Sequence, residues 1–270
     1  MLVSISHTTR YAYDDNSRYT VQSFRLTPPS FGGQRVLSWK ISAPGMETAT
    51  RFYDAFHNIG HLSCVTGDHS RIEIRAEGLV ETEDRAGMLR GLTEVVPTRV
   101  FLRETDKTVA DDAIRELGAR IKDSGTIIDG LHTLMHTVRD DVQYEVGVTG
   151  AHTSAIDAYA SKRGVCQDHA HIFIAAARSA GIPARYVNGY FLCDSDTPSE
   201  AHHAWAEAFV EGLGWIGFDP ANRMCPTDRY VRLACGLDAV SAAPIRGNRR
   251  GGSKEALDVL VEVQQANSQQ

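Results

Sequence analysis

The chain has 270 residues, 42% of them apolar and 23% charged, the balance of a globular protein long enough for one large domain or two moderate ones. With 28 basic against 34 acidic side chains the formal charge is -6, and the one basic-dense run is Arg246-Gly-Asn-Arg-Arg250, so a nucleic-acid partner is not expected. No stretch nears ~18 uninterrupted apolar residues and the start lacks a charged-then-apolar leader, so a cytoplasmic protein without a membrane span is expected. Five scattered cysteines, an odd number, are expected to be free thiols, one of them available for chemistry.

Residues 1–85 read as a β-sandwich-like module of short strands separated by turns, because apolar and polar residues alternate with period two. Leu37, Trp39 and Ile41 share one face, and Arg71-Ile-Glu-Ile-Arg75 repeats the pattern. Pro28-Pro29, Gly32-Gly33 and Pro44-Gly45 act as breakers. Residues 86–106 read as a linker. The period then becomes helical, with Ala110, Ala113, Ile114, Leu117 and Ile121 on one face and Thr108, followed by Asp111, as a capping start. A second helix follows Thr126 with Ile127, Leu131, Leu134, Met135 and Val138 on its apolar face, and a third runs from Gly164 to Ser179, ended by Gly181-Ile-Pro183. Strands are expected over 184–192, 203–210, 215–218, 230–234 and 257–263. Gly247 to Gly252 reads as a mobile loop. The fold class is therefore α+β, with a catalytic core over 107–265 and a tail over 266–270.

Cys166 lies in Arg163-Gly-Val-Cys-Gln-Asp-His169, where a glycine-containing loop enters the third helix. The partial positive charge and free N–H groups of a helix start favour a thiolate and can also hold an oxyanion. A free cysteine is more often a small buried hydrophobe, so the neighbouring groups must decide. In Ala201-His-His-Ala-Trp-Ala-Glu-Ala-Phe-Val210, alternation puts His203, Trp205, Glu207 and Phe209 on one face and His202, Ala204, Ala206 and Ala208 on the other. One of the two histidines can point at the thiol. If Glu211-Gly-Leu-Gly214 is a hairpin turn, Asp219 at the end of Gly214-Trp-Ile-Gly-Phe-Asp-Pro220 returns beside it to orient the base.

At Gly164-Val-Cys166-Gln-Asp-His-Ala170, Ala177-Arg-Ser-Ala-Gly-Ile-Pro-Ala-Arg-Tyr-Val-Asn-Gly-Tyr190, His203-Ala-Trp205-Ala-Glu207 and Gly214-Trp215 leading to Asp219-Pro220, the sequence resembles the bacterial transglutaminase-like superfamily. Tyr11-Ala-Tyr13 and Phe24-Arg-Leu-Thr-Pro28 resemble the N-terminal β domain of that group. The resemblance implies a papain-like core with Cys166 as nucleophile, His203 as base and Asp219 as orienting carboxylate. Arg178 and Glu207 also match family positions, and both are expected to be structural. His169 stands where many relatives have an aromatic residue, and Ala221 replaces their usual threonine.

The reaction expected is acyl transfer from an amide through a thioester, with hydrolysis of a peptide or protein substrate favoured over transamidation or a non-catalytic binding role. Gln167 and Tyr144 are candidates for a second oxyanion or substrate contact. No cofactor is expected. No metal is expected either, since His169 and His171 diverge on a helix and neither HExxH nor paired CxxC spacing occurs.

Overall fold

The structure, a computed structural model, describes residues 1–193 and 202–266. Two long strands, β1 (Leu2–Thr27) and β4 (Ile59–Thr82), pair antiparallel along most of their length. Short strands were expected here. Instead the Asp14-Asp15-Asn16 stretch is carried within β1 as a register shift between Ala12 and Ser17, because a bulge absorbs extra polar residues without ending the strand. β2 (Gln34–Ser42) and β3 (Thr50–Tyr53) pair with the other edge of β4. Val3, Ile5, Phe24, Leu26, Ile72 and Ile74 form the inner face of this sheet.

Residues 86–106 are not a free linker. Leu89 N–H donates to Trp215 O, Phe101 is buried, and Glu94 receives Arg185, so the segment is stitched to the core along its length. Helix α1 (Asp112–Arg120) starts at Asp111, whose carboxylate accepts Ile114 N–H at 2.9 Å. Thr108, the expected cap, is buried, and its hydroxyl receives Arg178 Nη1 at 2.7 Å. Helix α2 (Ile127–Asp141) is capped by Thr126, and Leu131, Leu134, Met135 and Val138 are buried as expected, whereas Ile127, expected on the same face, is exposed at the first turn. A parallel two-residue pair, β5 (Gln143–Tyr144) with β6 (Arg163–Gly164), flanks α3 (Ala155–Ser161). Helix α3 was not anticipated. Its seven residues bury just Ala155 and Ala158, too short a stripe to read as a period.

Helix α4 (Cys166–Ser179) is buried continuously from Asp168 to Arg178. It packs on a four-stranded antiparallel sheet, order β10-β7-β8-β9, of β7 (Ala184–Phe191), β8 (His202–Val210), β9 (Gly214–Phe218) and β10 (Tyr230–Gly236). Close approach follows from size: Ala170, Ala175, Ala176 and Ala177 of α4 share a core with Ala204, Ala206 and Ala208 of β8, while Trp205 belongs to a separate cluster.

The chain then leaves this sheet. β11 (Ile245–Gly251) and β12 (Glu255–Gln265) both pair with β1, which corrects two expectations: the strand expected over 257–263 belongs to the first sheet, and 247–252 is mostly strand. Gly247 is a glycine for strand contact, since a Cβ there would sit 2.7 Å from Val21 O and from Gln22 Cγ. The edge of β10 is closed by two buried side-chain amides from the first module. Gln34 donates to Arg232 O at 2.9 Å and accepts Arg232 N–H at 2.7 Å; Asn58 does the same with Cys235 O and N–H at 2.7 and 2.8 Å. Each amide imitates one peptide unit of a neighbouring strand, so a sheet edge inside the molecule has its polar groups satisfied.

Candidate active site

Val165, with extended backbone, precedes the first turn of α4. Asp168 folds back to accept Val165 N–H at 2.8 Å and the Thr149 hydroxyl at 2.6 Å, so a carboxylate occupies one of the helix-start donors and the turn is fixed. Gly164 is needed for this fold-back, because a Cβ would lie 2.7 Å from Asp168 Cβ. Cys166, the first residue of α4, is half-buried. His169 is buried beneath it, with its ring nitrogens 2.8 Å from Val165 O and 2.9 Å from Val142 O, tying the nucleophile loop to the β5 approach.

The β8–β9 hairpin forms as expected, with Val210 paired to Gly214 and Ala206 to Phe218, and Gly212 and Gly214 at positive φ in the turn. It returns Asp219 to His203. His203 Nε2 lies 2.6 Å from Asp219 Oδ2, and that oxygen also accepts Asn222 Nδ2 at 2.8 Å and the Tyr230 hydroxyl at 2.8 Å. Asp219 is fully buried and His203 nearly so. Burial opposes the imidazolium, but the Asp219 carboxylate and the Cys166 sulfur, acting by charge and by hydrogen bonding, outweigh it and raise His203 well above the ordinary histidine range. Burial likewise opposes the Asp219 charge, and His203, Asn222 and Tyr230 reverse it to hold the carboxyl below its ordinary value. With Nε2 committed to Asp219, Nδ1 is the ring nitrogen left for Cys166.

The three residues singled out for the chemistry are thus brought together. Tyr144 is half-buried, paired through β5 with Gly164, and its ring lies 6.0 Å from that of His169. It lines a cleft of about 180 Å³ over His203, with Arg139, Phe191, Ala221 and Asn222. Gln167 is half-buried on the first turn of α4 and is not part of that wall.

The other histidines have structural places. His202 is half-buried against His7 and Tyr190 of the module interface, and His171 Nε2 accepts Ala239 N–H at 3.1 Å. Arg178 donates to Phe101 O, Ala184 O and Leu237 O, and Glu207 is enclosed by Arg185 and Arg232, so both are structural as expected. Asn222 and Tyr230 were missed. Asn222 carried a readable signal, an amide three residues after Asp219 in a Pro-containing turn. Tyr230 carried none, since strand register alone brings it to the carboxylate.

Among the described residues, no group of three or more His, Cys, Asp or Glu is placed to hold a metal, and no helix is long and apolar enough to cross a membrane.

A helix-borne thiol against an antiparallel sheet that carries a histidine–carboxylate pair, behind an N-terminal strand module, defines a transglutaminase-like protein. Residues 115–220 match the core of the transglutaminase-like superfamily and residues 3–81 match the bacterial transglutaminase-like N-terminal region, and the chain belongs to that superfamily. An uncharacterised protein of Mycobacterium leprae is 29% identical over 96% of this chain and 97% of its own, and one of Mycobacterium tuberculosis is 26% identical over 96% and 91%. A crystal structure from Cytophaga hutchinsonii, described as a candidate cysteine protease, shares the fold at a TM-score of 0.78 and 22% identity, covering all of this chain and 92% of that one.

Proposed function

We propose that the protein is a cysteine-nucleophile enzyme that cleaves amide bonds of a peptide or protein through a thioester on Cys166. The observation that carries this reading is the commitment of His203 Nε2 to a buried, ionised Asp219, which leaves Nδ1 for the thiol at a helix start. His203 takes the thiol proton, and the Cys166 sulfur attacks the amide carbonyl. The oxyanion of the tetrahedral adduct is met by helix-start N–H groups, with Tyr144 at the cleft wall as the second donor. The imidazolium returns its proton to the amine nitrogen as the C–N bond breaks, leaving an S-acyl enzyme and a free amine. Water, deprotonated by His203, then releases the acid and restores the thiol. The description of the Cytophaga hutchinsonii protein agrees with hydrolysis. Transamidation differs at the last step alone, where an amine replaces water.

Exposure to p-nitrophenyl acetate followed by peptide mapping tests this. One acetyl group on Cys166, absent in His203→Ala and released by water faster than by added methylamine, is the expected result. Acetylation spread over other thiols, or none, would end the nucleophile assignment. Faster release to methylamine would replace hydrolysis with transamidation.

A further inference from the structure

Arg139 projects from the last turn of α2 into the cleft over His203. Its guanidinium is held by two backbone carbonyls, Nε to Ala221 O at 3.2 Å and Nη1 to Val142 O at 3.3 Å. These anchors lie on the two rims, Ala221 just beyond Asp219 and Val142 just before Tyr144. Carbonyl oxygens satisfy N–H groups but do not neutralise a charge.

The carboxylates at this end of α2 are engaged elsewhere: Asp140 with Arg223, Asp141 with the Tyr159 hydroxyl and Lys162, and Glu145 with Arg163. No carboxylate among the described residues forms an ion pair with Arg139. Among the described residues the wall of this cleft holds no carboxylate, so within them Arg139 supplies a positioned positive charge without an acidic partner, in a chain whose net charge is -6. With Nε and one Nη1 hydrogen engaged, the planar guanidinium keeps its remaining Nη donors, groups that can receive a carboxylate.

We propose that Arg139 is a specificity residue that selects acyl donors bearing a carboxylate beside the scissile amide, a proposal that rests on Cys166 being the nucleophile. The alternative role for Arg139 is a brace for the two rims alone.

The test compares alkylation of Cys166 by iodoacetate, an anion, and iodoacetamide, its neutral analogue, in the wild type, Arg139→Gln and Arg139→Lys. In Arg139→Gln the iodoacetate-to-iodoacetamide rate ratio is expected to fall about threefold to tenfold, the range for a partly exposed charge contact. The iodoacetamide rate should hold, and Arg139→Lys should keep most of the ratio. An unchanged ratio, or both rates falling together, would overturn the proposal and leave the brace. A wild-type Cys166 that iodoacetamide attacks no faster than an ordinary thiol would instead overturn the nucleophile reading, and this inference with it. Protection of wild-type Cys166 from iodoacetamide by N-acetylglycine would assign the carboxylate to a chain end, and protection by N-acetyl-aspartic acid α-amide would assign it to a side chain. Protection by neither would reject the substrate class.

Discussion

His203 Nε2 and Asp219 Oδ2 lie 2.6 Å apart in a buried pocket where Asp219 keeps its charge. This one contact selects the ring nitrogen offered to Cys166 and supplies the charge that holds the imidazolium. Asp219→Asn removes that charge with little change of shape. The alkylation rate of Cys166 at pH 6 should fall on the order of 10²-fold, the scale of a lost acid–base contribution. A fall of less than about threefold would show that Asp219 serves folding rather than the thiol.

Gln34 and Asn58 close the β10 edge from the first module. Gln34→Leu or Asn58→Leu leaves buried N–H and C=O groups of Arg232 or Cys235 without partners, at a cost of about 1–3 kcal/mol each. Urea unfolding should show lower midpoints with an unchanged denaturant slope. Wild-type midpoints in both variants would mean that water takes over the amide's role.

Glu207 has no exposed surface and is the counter-charge of two guanidinium groups, Arg185 and Arg232. Glu207→Gln keeps the shape, strands the buried Arg232 cation and leaves Arg185 to Glu94 alone, so a loss of about 3–5 kcal/mol in unfolding free energy is expected. The iodoacetamide reactivity of any folded fraction should be retained, because none of the three residues touches the thiol. A variant as stable as the wild type would contradict the burial of this network.

How much of this was readable follows the range of the interactions. The Cys166, His203 and Asp219 set rests on the family resemblance, which chose His203 over His202, and on three local patterns: a helix start, a period-two strand and a glycine hairpin. All three appear in the structure. The long pairing of β1 with β4 was hidden because a bulge at Ala12 to Ser17 looks, in sequence, like a turn. The return of β11 and β12 to β1 depends on contacts across the whole chain that no local period encodes. Tyr230 reaches Asp219 for the same reason. Residues 194–201, which adjoin the strand carrying His203, lie outside the described residues.

His7 and His202 meet where the strand module packs on the core. Burial, with His202 adding, holds His7 down to about 3, and burial, with His203 adding, holds His202 down to about 4. An unfolded imidazole titrates near about 6.5. As pH falls below that value the unfolded chain therefore takes up protons that the folded chain refuses. The stability from these two neutral rings is complete above about 6.5 and is lost from there down to the folded values. Each contributes a slope of up to about 1.4 kcal/mol per pH unit in that window. His203, raised instead, contributes in the opposite sense, with stability present below about 6.5 and lost as pH rises through its folded value. His7→Gln should lower the slope of unfolding free energy between pH 6 and 5 by about one histidine's share. An unchanged slope would show that His7 is already charged in the folded protein.

The most direct test of the central claim is the pH dependence of iodoacetamide alkylation at each of the five cysteines, followed by mass spectrometry in the wild type and in His203→Ala. The account predicts that Cys166 alone reacts rapidly at and below pH 6, and that His203→Ala returns it to the profile of an ordinary thiol, with a pKa of about 8.5. Cys225 serves as an internal contrast, since burial, with Asp84 adding, pushes its thiol up to about 11. A Cys166 that follows an ordinary thiol profile in the wild type, or keeps its reactivity without His203, would contradict the account.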